Sequence, residues 1–174
     1  MTPAATSVQT TPSSPSELTT AQRLLWLGQK LAPASPLYNM AFLFTLGGEV
    51  NETYFQTAFQ AVVDRSDSLR TVIDEVDGSA IARVLSQLDY AVPVLDFREK
   101  ENAEVAVRSW AKDRTRRLFD LSSCLFDTAL IRLPTGQTIW YLNQHHLITD
   151  ISTVQLLFTT VSDFYQRAVS GTIT

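Results

Sequence analysis

The sequence predicts an α/β domain in which a mixed β-sheet is covered by helices. Three observations lead to that class. Short strand-like apolar runs are interleaved with longer segments whose apolar residues recur every three or four positions. Two pairs of strand-like runs are joined by turn residues, Asp77-Gly78 in one and Pro134-Thr135-Gly136 in the other. The chain has 174 residues and 45% hydrophobic content, enough apolar surface for one core without disulfide staples.

The first sixteen residues contain eleven Ser, Thr or Pro and no charged side chain. Such a stretch buries too little to offset its ordering entropy, so residues 1–16 are expected to be a disordered tail and residues 17–174 the domain. Thr19 or Thr20 caps a helix running to about residue 32, with Leu24, Leu25, Leu27 and Leu31 as its expected apolar side. Pro33 and Pro36 end it. Residues 39–46 are apolar on both faces, which predicts a central strand. Asn51 caps a second helix, with Tyr54, Phe55, Ala58, Phe59, Val62 and Val63 at helical spacing. Residues 69–76 and 80–85 form a hairpin, and residues 92–95 a short extended piece around Pro93. A charged helix is expected over 99–117 and a second hairpin over 125–133 and 138–145. The last helix, 151–168, should bury Val154, Leu157, Phe158 and Val161.

Charge and composition exclude several functions. A net charge of −4 and a pI of about 5.1 argue against nucleic-acid binding. The basic set Arg108, Lys112, Arg114, Arg116 and Arg117 reads better as a solvated helix face, and as a weak docking face for an acidic partner. No apolar run is long enough to span a membrane, and no secretory signal is visible. A single cysteine, Cys124, forms no internal disulfide and reads as a small core residue. A cytoplasmic protein is expected. No phosphate-loop glycine pattern and no Cys/His metal spacing is present, so no bound cofactor or metal is expected.

The chemistry concentrates at the only two histidines, His145 and His146, which are adjacent and sit where a strand runs out and a helix begins. Neighbouring strand residues face opposite ways, so the two imidazoles do not share a ligand, and one faces the core. Asp150, four residues beyond His146, stands at the start of the last helix, where an N-cap is favoured.

The stretch Asn-Gln-His-His-Leu-Ile-Thr-Asp at 143–150 resembles the HHxxxDG motif of nonribosomal peptide synthetase condensation domains and the related acyltransferase superfamily. Three further stretches agree in order. Residues 18–27 resemble the S-x-A-Q-x-R-x-W-x-L segment, followed by Tyr38-Asn39 for its Y-N. Residues 65–71 resemble R-H-E-x-L-R-T, and Phe119-Asp120-Leu121 resembles F-D-L.

The resemblance covers residues 17 to the end and matches the N-terminal lobe of a two-lobe, chloramphenicol-acetyltransferase-like fold. It implies amide formation between a carrier-bound acyl thioester and a carrier-bound amine. The partners implied are donor and acceptor carrier proteins with phosphopantetheine arms, and a C-terminal lobe across the cleft. His146 falls on the functional histidine, and His145 on a packed residue beside it. Asp150 falls on a structural aspartate whose arginine partner matches Arg65, with Arg23 as second candidate and Arg70 as a further structural ion-pair residue. Whether His146 acts as general base or as a positioning group is left open.

Two departures stand out. Ile151 replaces the motif's glycine, and Ser66-Asp67 replaces its His-Glu. A lobe alone is expected to fold, to self-associate through its uncovered face, and to be inactive. Two alternatives stay open: a non-catalytic interaction module, and an epimerisation or other carrier-dependent acyltransferase lobe.

Overall fold

The computed structural model describes residues 15–173. Its centre is a four-stranded mixed sheet built from β2 (Asn39–Leu46), β5 (Val94–Asp96), β6 (Phe126–Arg132) and β7 (Thr138–His145), in the order β2-β7-β6-β5. Only β5 and β6 run parallel. A smaller antiparallel sheet has the order β1-β4-β3, from β1 (Ser16–Glu17), β3 (Thr71–Val76) and β4 (Ser79–Val84). The helices are α1 (Thr20–Leu31), α2 (Glu52–Arg65), α3 (Ala103–Thr115) and α4 (Ile151–Val169).

The strand period of two divides the central sheet's side chains between two layers. Trp140 and Leu142 of β7 join Phe126 and Leu130 of β6 against Phe55 and Phe59 of α2 and Val154 and Val161 of α4. Ile139 and Tyr141 join Ala129 and Ile131 against Ala103, Val107 and Ala111 of α3. β7 is buried along its whole length, as a strand covered on both faces must be. The architecture is therefore helix, sheet, helix, as the mixed α/β composition leads one to expect.

Local signals explain the element ends. Thr19 and Gln22 form a reciprocal capping box at α1, Asn51 caps α2, and Asp150 caps α4. Asp77 and Gly78 both have positive φ, the backbone of a tight two-residue hairpin.

Four expectations are corrected. The both-sided apolar strand, β2, lies at the edge of its sheet with Leu43 exposed, because it pairs with β7 on one side and has no strand neighbour on the other among the described residues, although α3 reaches it where Asn39 Nδ2 donates to Thr115 O. α1 docks through Trp26, with Leu25 partly buried beside it, whereas Leu24, Leu27 and Leu31 form an exposed stripe. Ser16 and Glu17 are paired with Ala82 and Ile81, so order begins inside the expected tail. The rest of that tail, residues 1–14, lies outside the described residues. Finally, Arg114 does not belong to a solvated face: its guanidinium makes a two-pronged, largely buried pair with Asp127.

Candidate active site

β2 and β7 pair in full register, from Leu46 opposite Thr138 to Asn39 opposite His145. One step further, His146 N–H donates to Tyr38 O at 2.8 Å. The ladder thus delivers the histidine pair to the end of the central sheet. His145 is the last strand residue and its odd-numbered position turns it to the α3 side, between the rings of Tyr38 and Phe119 at 6.0 and 6.2 Å. His146 has left the strand and is half-buried.

The loop from 146 to 149 is held by hydrogen bonds from four directions. Leu147 N–H donates to His145 Nδ1 at 3.2 Å, and Ile148 N–H to His145 O at 3.0 Å. Gln22 Nε2, from α1, donates to Leu147 O at 3.0 Å. The Thr149 hydroxyl donates to Gln144 Oε1 at 3.2 Å. Leu147 and Ile148 are buried and anchor the loop by packing.

Within that frame His146 Nδ1 lies 2.7 Å from Thr149 O. A carbonyl only accepts, so Nδ1 carries the proton, and the lone pair of the neutral ring resides on Nε2. His145 has the opposite arrangement. Its Nδ1 accepts from Leu147 N–H, so its proton sits on Nε2, which faces Gln29 Oε1 at 3.5 Å. Burial, with a smaller contribution from the neighbouring His146, pulls the His145 pKa down to about 4. His145 is a neutral, packed residue at neutral pH.

Asp150 is exposed, and its Oδ1 accepts from Thr153 N–H at 2.7 Å. That bond, with the Thr153 hydroxyl next in weight, holds its carboxyl below the ordinary range. Arg65, the expected partner of Asp150, donates from Nη1 to Ala61 O at 3.1 Å, and its guanidinium lies over Phe164. Arg23 sits at the other end of the site's surroundings, 3.6 Å from Glu17. Arg70 is the inward-facing arginine of this region. It donates to Val63 O, Leu85 O, Ser86 O and Asp67 Oδ1, tying the end of α2 to the end of β4. As the N-cap of α4, the Asp150 carboxylate is satisfied locally by Thr153 N–H.

Two concavities open on opposite faces of β7 just before the histidines. One, of about 340 Å³, is lined by Asn143, Arg117, Phe119 and Cys124 among others. The other, of about 260 Å³, is lined by Gln144, Arg65, Thr153 and Phe164 among others. Asn143 Oδ1 and Gln144 Nε2 are buried and without a hydrogen-bond partner. Cys124 is not activated: burial pushes its thiol up to about 12, and Sγ donates to Phe126 O. Among the described residues no group of His, Cys, Asp and Glu side chains is arranged to hold a metal ion, and no helix is long and apolar enough to cross a membrane.

Sequence reasoning missed Gln22, Thr149 and Gln144. Gln22 was visible as a capping-box residue, since Thr-x-x-Gln precedes an apolar run. Its bond to a loop 125 residues away had no local signal.

Comparison with known proteins fits this geometry. The family model described as "Condensation domain" matches residues 14–174. Linear gramicidin synthase subunits C and B from Brevibacillus parabrevis are 30% and 31% identical over 159 and 157 residues, which is 90% and 88% of this chain. The chain spans only 2% and 3% of the length of those two relatives. The crystal structure of the starter condensation domain of rhizomide synthetase superposes with a TM-score of 0.85 at 28% identity, over 92% of this chain and 41% of that one. The matched region is the N-terminal part of that chloramphenicol-acetyltransferase-like fold. The chain belongs to the condensation-domain family of nonribosomal peptide synthetases and corresponds to its N-terminal portion.

Proposed function

We propose that this chain supplies the His146 half of an amide-forming site, in which an amine attacks an acyl thioester. The observation that carries the reading is the His146 Nδ1 to Thr149 O bond at 2.7 Å. It fixes the tautomer in which Nε2 is an acceptor, and an acceptor matches the N–H of an attacking amine. A neutral ring held this way has no proton on Nε2 to offer an oxyanion. Of the two roles open for His146, the geometry supports the one that engages the amine.

In that reaction the amine nitrogen bonds to the thioester carbonyl carbon and the carbon–sulfur bond breaks. The proton lost by nitrogen passes to His146 Nε2 and then to the departing thiolate, so charge balances without a covalent enzyme intermediate. The absence of an activated nucleophile at Cys124 agrees. An α-amine with a pKa of about 8 is partly neutral at pH 7. Orienting it therefore contributes as much as deprotonating it.

The acyl and amino groups arrive on phosphopantetheine arms of donor and acceptor carrier proteins, and the concavities at Asn143 and Gln144 support approach from two sides. Asp150, Arg65, Arg70, Arg23 and His145 serve as structural residues. The lobe alone is inactive, because one wall of a cleft does not hold two tethered substrates. The exposed leucine stripe of α1 supports an uncovered partner face, open to the C-terminal lobe or to self-association. The setting is the cytoplasm, as for a carrier-dependent synthetase.

The test is single-turnover transfer between loaded carriers, with this lobe completed by a C-terminal lobe. His146→Ala is expected to abolish transfer while folding is retained. Activity within a few-fold of the unmodified domain would sink the assignment. Measurable amide formation by the monodisperse 174-residue chain would sink the two-lobe requirement.

A further inference from the structure

We infer that Gln22 is a positioning residue for His146, a role distinct from its part in capping α1. The inference rests on the reading of His146 as the functional imidazole. Gln22 Oε1 accepts from Thr19 N–H at 3.0 Å and lies 3.0 Å from the Thr19 hydroxyl, completing the capping box. Its Nε2 donates to Leu147 O at 3.0 Å. The amide has only one orientation that satisfies both contacts. Turned over, it would set an NH₂ against the Thr19 N–H and an oxygen against the Leu147 carbonyl.

The bond lands on the one residue that separates His146 from the rest of the loop. Leu147 N–H is already bound to His145 Nδ1, so the Leu147 backbone is held at both polar atoms. With Leu147 fixed, the turn brings Thr149 O back to His146 Nδ1 at 2.7 Å. Release the Leu147 carbonyl, and the residue gains freedom about the peptide that sets the distance from His146 to Thr149. The expected result is exchange between the two ring tautomers, and an Nε2 that no longer presents a lone pair in a single direction. A helix 125 residues away in sequence therefore sets the proton position on the functional histidine.

Two substitutions separate capping from positioning. Gln22→Glu keeps an oxygen for the capping box, where glutamate is equally favoured, and removes the donor to Leu147 O. Thr19→Ala breaks the cap and leaves the Nε2 donor in place. Long-range ¹H–¹⁵N NMR of the imidazoles in the 174-residue chain reads the tautomer directly.

The unmodified chain is expected to show His146 as a single Nδ1–H species. Gln22→Glu should melt within a few degrees of it and show His146 as a mixture. Thr19→Ala should melt lower and keep the single species. Gln22→Met, which fills similar volume without a donor, is the second variant should Gln22→Glu fail to fold. A single Nδ1–H species in either folded Gln22 variant overturns the inference. In a completed two-lobe domain, Gln22→Glu should lower kcat about ten- to a hundredfold with KM little changed. If the tautomer shifts while both His146→Ala and Gln22→Glu leave transfer intact, the function of His146 fails and the positioning contact stands.

Discussion

His145 and His146 are adjacent in sequence and hold their protons on opposite ring nitrogens. His145 Nδ1 accepts from Leu147 N–H, while His146 Nδ1 donates to Thr149 O. One loop, by giving an N–H to the first ring and a carbonyl to the second, makes two chemically different groups from two identical side chains.

The first prediction concerns acid. His145 has a folded pKa of about 4, depressed by burial, against about 6.5 when unfolded. Above pH 6.5 neither state is protonated. Between 6.5 and 4 the unfolded chain binds a proton that the folded chain does not, so stability falls as pH falls through that window. The loss should approach about 3 kcal/mol near pH 4 and then level off for this group. Tyr38, Phe119 and Gln29 face the ring, and His146 stands next to it in the chain and contributes to the depression. Denaturant titrations should show the slope, and His145→Asn should flatten it.

The second concerns Asp150. As an N-cap it should contribute about 1 kcal/mol, with Asp150→Ser nearly neutral and Asp150→Ala destabilising by that amount. The double mutant with Arg65→Ala should be additive within about 0.5 kcal/mol. A coupling of several kcal/mol would show that the two side chains meet after all.

A third prediction addresses the ion pair between α3 and β6. Arg114 Nε and Nη2 contact the two carboxylate oxygens of Asp127, with both side chains less than a fifth exposed. Asp127→Ala should cost about 2–4 kcal/mol, since it leaves the guanidinium largely buried and alone. Asp96→Ala, in an exposed pair with Arg98, should cost under about 1 kcal/mol. Equal losses in urea titrations would contradict the burial argument.

The fourth is Gly28. A Cβ there would lie 1.9 Å from Tyr38 Oη and 2.9 Å from its Cζ. Alanine gains about 1 kcal/mol of helix propensity, while overpacking costs about 1–3 kcal/mol. Gly28→Ala should therefore destabilise by about 1 kcal/mol, and become stabilising in a Tyr38→Ala background. Thermal melts of the four proteins decide it.

Most elements were legible because their signals are local. The caps at Thr19, Asn51 and Asp150, and the Asp77-Gly78 turn, act within four residues of themselves. What failed was neighbourhood. The apolar character of β2 gave no sign that it takes the edge of its sheet, and Leu24, Leu27 and Leu31 look like any buried helix face until the helix is seen to dock through Trp26. The inward packing of His145 followed from strand alternation. The resemblance suggested Arg65 as partner of Asp150, and the capping bond from Thr153 N–H to its carboxylate was legible from the position of Asp150 at a helix start. The hold of Gln22 on Leu147 needs three-dimensional closure, which no pattern along the chain announces.

The end-to-end pairing of β2 with β7 makes it a matter of odd and even which imidazole is packed. Counting from Trp140, every second residue turns to the α2 and α4 side, and the count decides that 145 is inward on the other face and 146 is past the last rung. Removing one residue between Leu142 and His145 would seat the second histidine in the packed position and move the first back onto the strand. Removing two would retain the alternation and shorten the rail. Length variation in this strand is thus tolerable only in even steps.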